Sequence, residues 1–223
     1  MSPFDLPPAV LGFVGVHLAL RAEVGALASL VDAGETGRAR RRAELLGHVL
    51  HQHHVTEDRL LWPALVERQP GAASTTAALQ AQHEELTCLV RVLPDHLDLA
   101  SRTRDVLVEH LLAEEQHALP LWLASFDGAE HERFAALLRR STPWRAAGPM
   151  VAWLLDATPD DARGIGWQLV PRPLQVLHRL WWQRSYEHRY GRIDTTATTA
   201  SAAIAATAPW STAAVPTRTL VAA

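Results

Sequence analysis

A chain of 223 residues, 48% hydrophobic and 20% charged, is long enough to bury a core without metal or disulfide staples and too apolar for a disordered chain. A formal charge of −3 argues against a general nucleic-acid-binding surface, and the single cysteine, Cys88, excludes an intrachain disulfide. All 21 basic residues are Arg, which we read as codon bias; the 12 His, several in tight groups, are the informative count.

Met1 to Val10 carries no positive charge and contains Pro3, Pro7 and Pro8, so no secretory signal is expected. Four long segments then show apolar residues at three- and four-residue spacing, the pattern of amphipathic helices. The first runs from about Pro8 to Val31 and Gly34 helps end it. The second runs from about Thr36 to Arg68 and stops near Pro70-Gly71. The third starts after Ser74 and fades near Pro94; the fourth runs from about Ser101 to just before Asp127-Gly128. Short connections make neighbours antiparallel. The expected fold is therefore all-α, an antiparallel up-down four-helix bundle with additional short C-terminal helices.

A fifth helix is expected at about Ala129 to Arg140. Pro and Trp then become frequent, and short helices packed on the bundle are expected at Pro149 to Asp156, Asp160 to Leu169 and Pro173 to Arg184. From about Thr195 the chain is Ala- and Thr-rich without periodicity, and disorder is expected. The organisation is thus a bundle over 1–128, a helical extension over 129–193 and a tail over 194–223. The nearly uncharged Thr195 to Thr217 stretch is too weakly apolar to span a bilayer. A soluble, cytoplasmic protein that engages neither membrane nor nucleic acid is expected.

A weak internal repeat runs through the second and fourth helices. His53-x-x-x-Glu57-Asp58 leads to Pro63, and His110-x-x-x-Glu114-Glu115 leads to Pro120, ten residues after each His. Residues four apart share one helix face. Leu46, Val49, Glu57 and Leu60 lie within about 40° of His53 in projection, and Thr103, Val106, Glu114 and Leu121 lie equally close to His110. His17 shares a stripe with Val10, Phe13, Val24 and Ala28; His83 shares one with Leu79, Thr87 and Val90. Four helices thus aim His17, His53, Glu57, His83, His110 and Glu114 at one interior.

Burying four imidazoles and two carboxylates without partners is costly. Two cations would satisfy them together. Imidazole and carboxylate suit iron, manganese or zinc, and the lack of thiolate argues against a structural zinc site. The competing reading is a buried His–Glu hydrogen-bond network without metal. His48, His51, His96 and His131 fall off the core stripes and are expected in solvent; His54 and Asp58 lie at the stripe edge, where exposure is preferred over a place supporting the ligands. Cys88 is expected at a helix surface or core edge.

These residues resemble the hemerythrin-like, or HHE cation-binding, family of bacterial proteins over about residues 8 to 125. The carriers are His17 with Leu18-Ala19-Leu20-Arg21, His53-x-x-x-Glu57 followed by Leu60-Leu61-Trp62-Pro63, Gln82-His83-Glu84-Glu85-Leu86, and His110-x-x-x-Glu114 followed by Leu119-Pro120-Leu121. The resemblance implies two iron ions, oxo- or hydroxo-bridged, with both Glu bridging and the His capping; manganese or zinc are the alternatives. It departs at Thr87, where oxygen-carrying relatives have a further His. Either an exogenous ligand fills that position, or His117 substitutes. His117 is about 20° from His110 in projection but two turns away, so a place lining a channel or supporting a ligand is preferred; Glu84 and Glu115 are weaker candidates.

The implied function is a non-haem di-iron protein binding or reacting with O2, peroxide or NO, in redox or oxygen response or peroxide detoxification; if an enzyme, it is a di-iron oxidoreductase. The alternative is a metal-state-dependent regulatory or iron-handling module without turnover. No Gly-rich phosphate loop, Gly-x-Ser-x-Gly elbow or cysteine nucleophile motif supports another enzyme class.

Overall fold

A computed structural model describes residues 7–141, 144–158, 167 and 170–193. Helix α1 (Pro8–Asp32) opens with Pro in its first turn, where no intrahelical N–H is needed. It ends in a Schellman motif: Gly34, at φ +72°, donates to the Val31 carbonyl at 2.9 Å and Glu35 donates to Leu30 at 2.9 Å. The second rod joins α2 (Thr36–Thr56) to α3 (Trp62–Arg68) through a π-helical turn, Glu57–Leu61. The third rod is α4 (Ala73–Val92). The fourth joins α5 (Ala100–Ala113) to α6 (Leu119–Ser125) through a second π turn, Glu114–Ala118.

Both π turns have a cause in the repeat. Pro63 and Pro120 lack an N–H, and their rings press on the carbonyl four residues earlier. The backbone opens instead: the Trp62 N–H bonds to Glu57 and the Leu119 N–H to Glu114, five residues back.

The four rods form a ring in which α1 touches α2 and α5, and α4 touches the same two. The core has two apolar clusters stacked along the bundle. One gathers Leu20 to Leu27, Ala39 to Leu50, Leu86 to Leu93 and Ala100 to Leu111. The other gathers Val10 to Val14, Leu61 to Leu65, Leu79 and Ala118 to Trp122. The first cluster pairs the C-terminal halves of α1 and α4 with the N-terminal halves of α2 and α5, so the rods alternate in direction as expected. On each rod the His or Glu of interest falls in the gap between the clusters. By length and composition α1 could cross a membrane, but its surface is largely buried within the bundle.

Among the described residues three elements follow: α7 (Gly128–Ser141), α8 (Trp144–Ala157), and a rod of α9 (Arg172–Leu177), a π turn at His178–Trp182 and α10 (Gln183–Tyr190). Asp127 caps α7 reciprocally: the Glu130 N–H donates to Asp127 Oδ1 at 2.8 Å and the Asp127 N–H to Glu130 Oε2 at 2.9 Å. Helix α8 starts earlier than the expected Pro149 and carries that proline inside it. The expected helix at Asp160 to Leu169 lies almost wholly outside the described residues, as does the tail over 194–223.

A buried charge network fastens the extension to the bundle. Arg42 donates to Glu23 at 2.7 Å and to the Gly191 carbonyl at 2.8 Å, while the Trp153 indole N–H donates to Glu23 at 3.1 Å. Gly191 takes φ +71°, a left-handed turn that a side chain would disfavour.

Candidate metal centre

The gap between the two apolar clusters is filled by imidazoles and carboxylates from all four rods. Their donor atoms form two groups, each within 4.8 Å: His17, His53, Glu57 and Glu114, and His54, His83 and His110. Both carboxylates span the groups. Glu114 sets Oε2 at 3.2 Å from His17 Nε2, and Oε1 at 3.3 Å from His110 Nε2 and 3.5 Å from His83 Nε2. Glu57 sets Oε1 at 3.2 Å from His53 Nε2 and Oε2 at 3.6 Å from His83 Nε2.

These separations are near hydrogen-bond range, yet most of the angles are wrong for hydrogen bonds. The Nε2 atoms of His17, His53, His54 and His110, both Glu57 oxygens and Glu114 Oε2 are buried without a hydrogen-bond partner. Each such group costs about 1–3 kcal/mol if left unsatisfied. Their shared aim is at points between them, which is how ligands of a cation are arranged.

The opposite edges of three imidazoles are held from outside. His17 Nδ1 meets Glu115 Oε1 at 2.9 Å, and Arg21 grips the same carboxylate with two bonds of 2.7 and 2.9 Å. His83 Nδ1 meets Asp58 at 3.0 Å, and His110 Nδ1 meets the Gln82 side-chain oxygen at 2.9 Å. An Nδ1–H donated outward fixes the ring and leaves the Nε2 lone pair free for a cation.

Electrostatics follow from the burial. Burial, then Glu114 and Asp58, push the Glu57 carboxyl well above the usual range. Burial would also raise Glu114, but the imidazoles of His110, His17 and His83 hold it well below. Burial and then the neighbouring His17 push His53 well below the ordinary imidazole value, and burial with His83 does the same to His54. Neutral imidazoles are the form a cation requires.

All six residues read from the sequence are brought together, and the structure adds to them. His54 is buried, not exposed: its ring stacks on His83 with centroids 3.8 Å apart and planes at 7°. The signal was present, because Leu50 four residues before and Leu61 seven after are both core residues. Asp58 is partly exposed, yet it orients His83. Thr87 faces solvent, so the fifth imidazole comes from α2. His117 is exposed, as is Glu84, whereas Glu115 is buried on His17. His48, His51 and His96 are exposed as expected. His131 is not: α7 buries it against Trp122, with rings 5.7 Å apart. Cys88 is exposed.

Residues 12–122 match the family model of the hemerythrin HHE cation binding domain. The hemerythrin HHE match spans the four rods and includes every donor named above. Neither a curated protein nor a solved structure matches the chain.

Proposed function

We propose that this hemerythrin-like chain holds two iron ions and binds or reacts with O2, peroxide or NO. His17 and His53 would serve one ion, His54, His83 and His110 the other, and Glu57 and Glu114 both. The observation that carries this reading is the pair of donor groups joined by two carboxylates, with three of the four carboxylate oxygens and the Nε2 atoms of His17, His53, His54 and His110 buried without a hydrogen-bond partner. An imidazole and carboxylate set without thiolate suits iron, with manganese and zinc as the alternatives. Bound iron would supply a redox couple and open positions for a small ligand.

The chain's own residues do the rest. Glu115, Asp58 and Gln82 fix ring orientation. Arg21 keeps Glu115 charged beside His17. The two apolar clusters exclude bulk water from above and below. The group with two imidazoles has fewer protein donors than the group with three, so the small ligand belongs on the His17 and His53 side.

Protein purified from its native host should carry about two irons per chain and show near-ultraviolet ligand-to-metal absorption. His53→Ala and His110→Ala should each lose iron and absorption. Iron-free protein, or variants that keep the spectrum, overturn the reading. A metal-state-dependent regulatory role is the second reading, favoured by the α8 side chains Met150 and Trp153 lying against the His53 and Glu57 side. It predicts that protease protection of α8–α10 changes on reduction.

A further inference from the structure

A cavity of about 190 Å³ adjoins the centre on the side of His53 and Glu57. Phe13, Val16 and Trp122 of the bundle line it together with Phe134, Met150 and Trp153 of the C-terminal helices. Its polar side chains come from one stretch of the second rod, Gln52, His53, Thr56 and Glu57. His53 keeps 7% of its side chain accessible, whereas those of His17, His110 and Glu114 are sealed at 0%. His83 keeps 4%, so His53 is the most accessible of these donor rings, and it is the one this cavity reaches.

Size, polarity and charge define the occupant. An apolar cavity of about 150 Å³ holds a benzene ring, so this one is larger than a diatomic gas needs. The aromatic walls suit a flat apolar body. Among the described residues no Arg lines the cavity, which leaves an anion without a countercharge. Trp153 has committed its indole N–H to Glu23, so the hydrogen-bonding groups left to an occupant are those of Gln52, His53, Thr56 and Glu57.

We infer that this cavity binds a neutral organic molecule of single-ring size with one hydrogen-bonding group, held against His53 and Glu57 between the bundle and helices α7 and α8. Its role as the substrate pocket of the centre rests on the metal reading above; its capacity to bind does not.

Calorimetric titration of the full-length, as-purified protein with benzyl alcohol tests this. Binding should saturate at about one molecule per chain, with benzenesulfonate and 1-naphthalenemethanol each at least about tenfold weaker. Met150→Trp, which fills the cavity from the extension, should weaken benzyl alcohol at least about tenfold while helix content holds; Val16→Phe fills it from α1 should the first variant not fold. Absence of saturable binding, equal binding of the sulfonate, or unchanged binding in the folded variants overturns the proposal. Iron content measured on the same samples separates the two claims. Saturable binding without iron would leave the cavity standing and remove the metal reading; iron without binding would do the reverse.

Discussion

Glu115 shows how much one side chain can decide. Adjacent to Glu114, it turns to the opposite edge of His17 and is held by Arg21. Burial would raise its pKa, but bonds from His17 and Arg21 outweigh that and hold it below the ordinary 4.5. The folded chain therefore binds fewer protons than the unfolded chain in this range. The contribution is complete above pH 4.5 and is lost as pH falls through the folded value. In metal-stripped protein, Glu115→Gln should flatten the fall of urea-measured stability below that pH. In loaded protein the same variant should weaken metal affinity by about 10- to 100-fold, read by chelator competition. An unchanged pH slope would mean that Glu115 does not support the fold.

At the scale of the helix, the π turns explain both what the sequence made legible and what it hid. Periodicity at 3.6 residues per turn found His17, His53, His83 and His110 because each precedes any break in its rod. It also found Glu57 and Glu114, which stand at the start of the break. It failed just beyond. His117 looked aligned with His110 only on a regular helix; the wide turn between them carries it out to solvent and lets Glu115 in. His54 was missed for another reason: a stripe centred on His53 leaves its neighbour at the margin, and only the packing of α4 against α2 shows that both rings fit. Pro63→Ala restores an N–H and removes the ring's pressure on Arg59. It should leave helix content by circular dichroism unchanged or higher, while iron retention falls because Glu57 is aimed elsewhere. Equal iron retention would detach the turn from the site.

For the whole molecule, the attachment of the C-terminal helices is a buried ion network rather than apolar contact alone. Arg42 is fully buried and serves Glu23, Gly191 and, at 3.7 Å, Asp156. Removing one member strands the other charges. Arg42→Met should cost about 3–5 kcal/mol in chemical denaturation, and Glu23→Gln in the same chain should recover part of it. A cost below 1 kcal/mol, about that of an exposed pair, would show that the network is not closed. The sequence disclosed that an extension exists, through its Pro and Trp content, but not that Glu23 and Arg42, deep in α1 and α2, hold it. Buried charges within apolar stripes look alike whether they serve a cation or a guanidinium.

The repeat carries one last consequence. Each acid that spans the paired donor groups sits on a different hairpin, Glu57 on the first and Glu114 on the second, and neither hairpin carries a whole donor group. Severing the backbone between Arg68 and Ala73 would yield two fragments, each powerless to retain an ion by itself. Capture would return only upon reassociation, so complementation and metallation would titrate together as a single cooperative event.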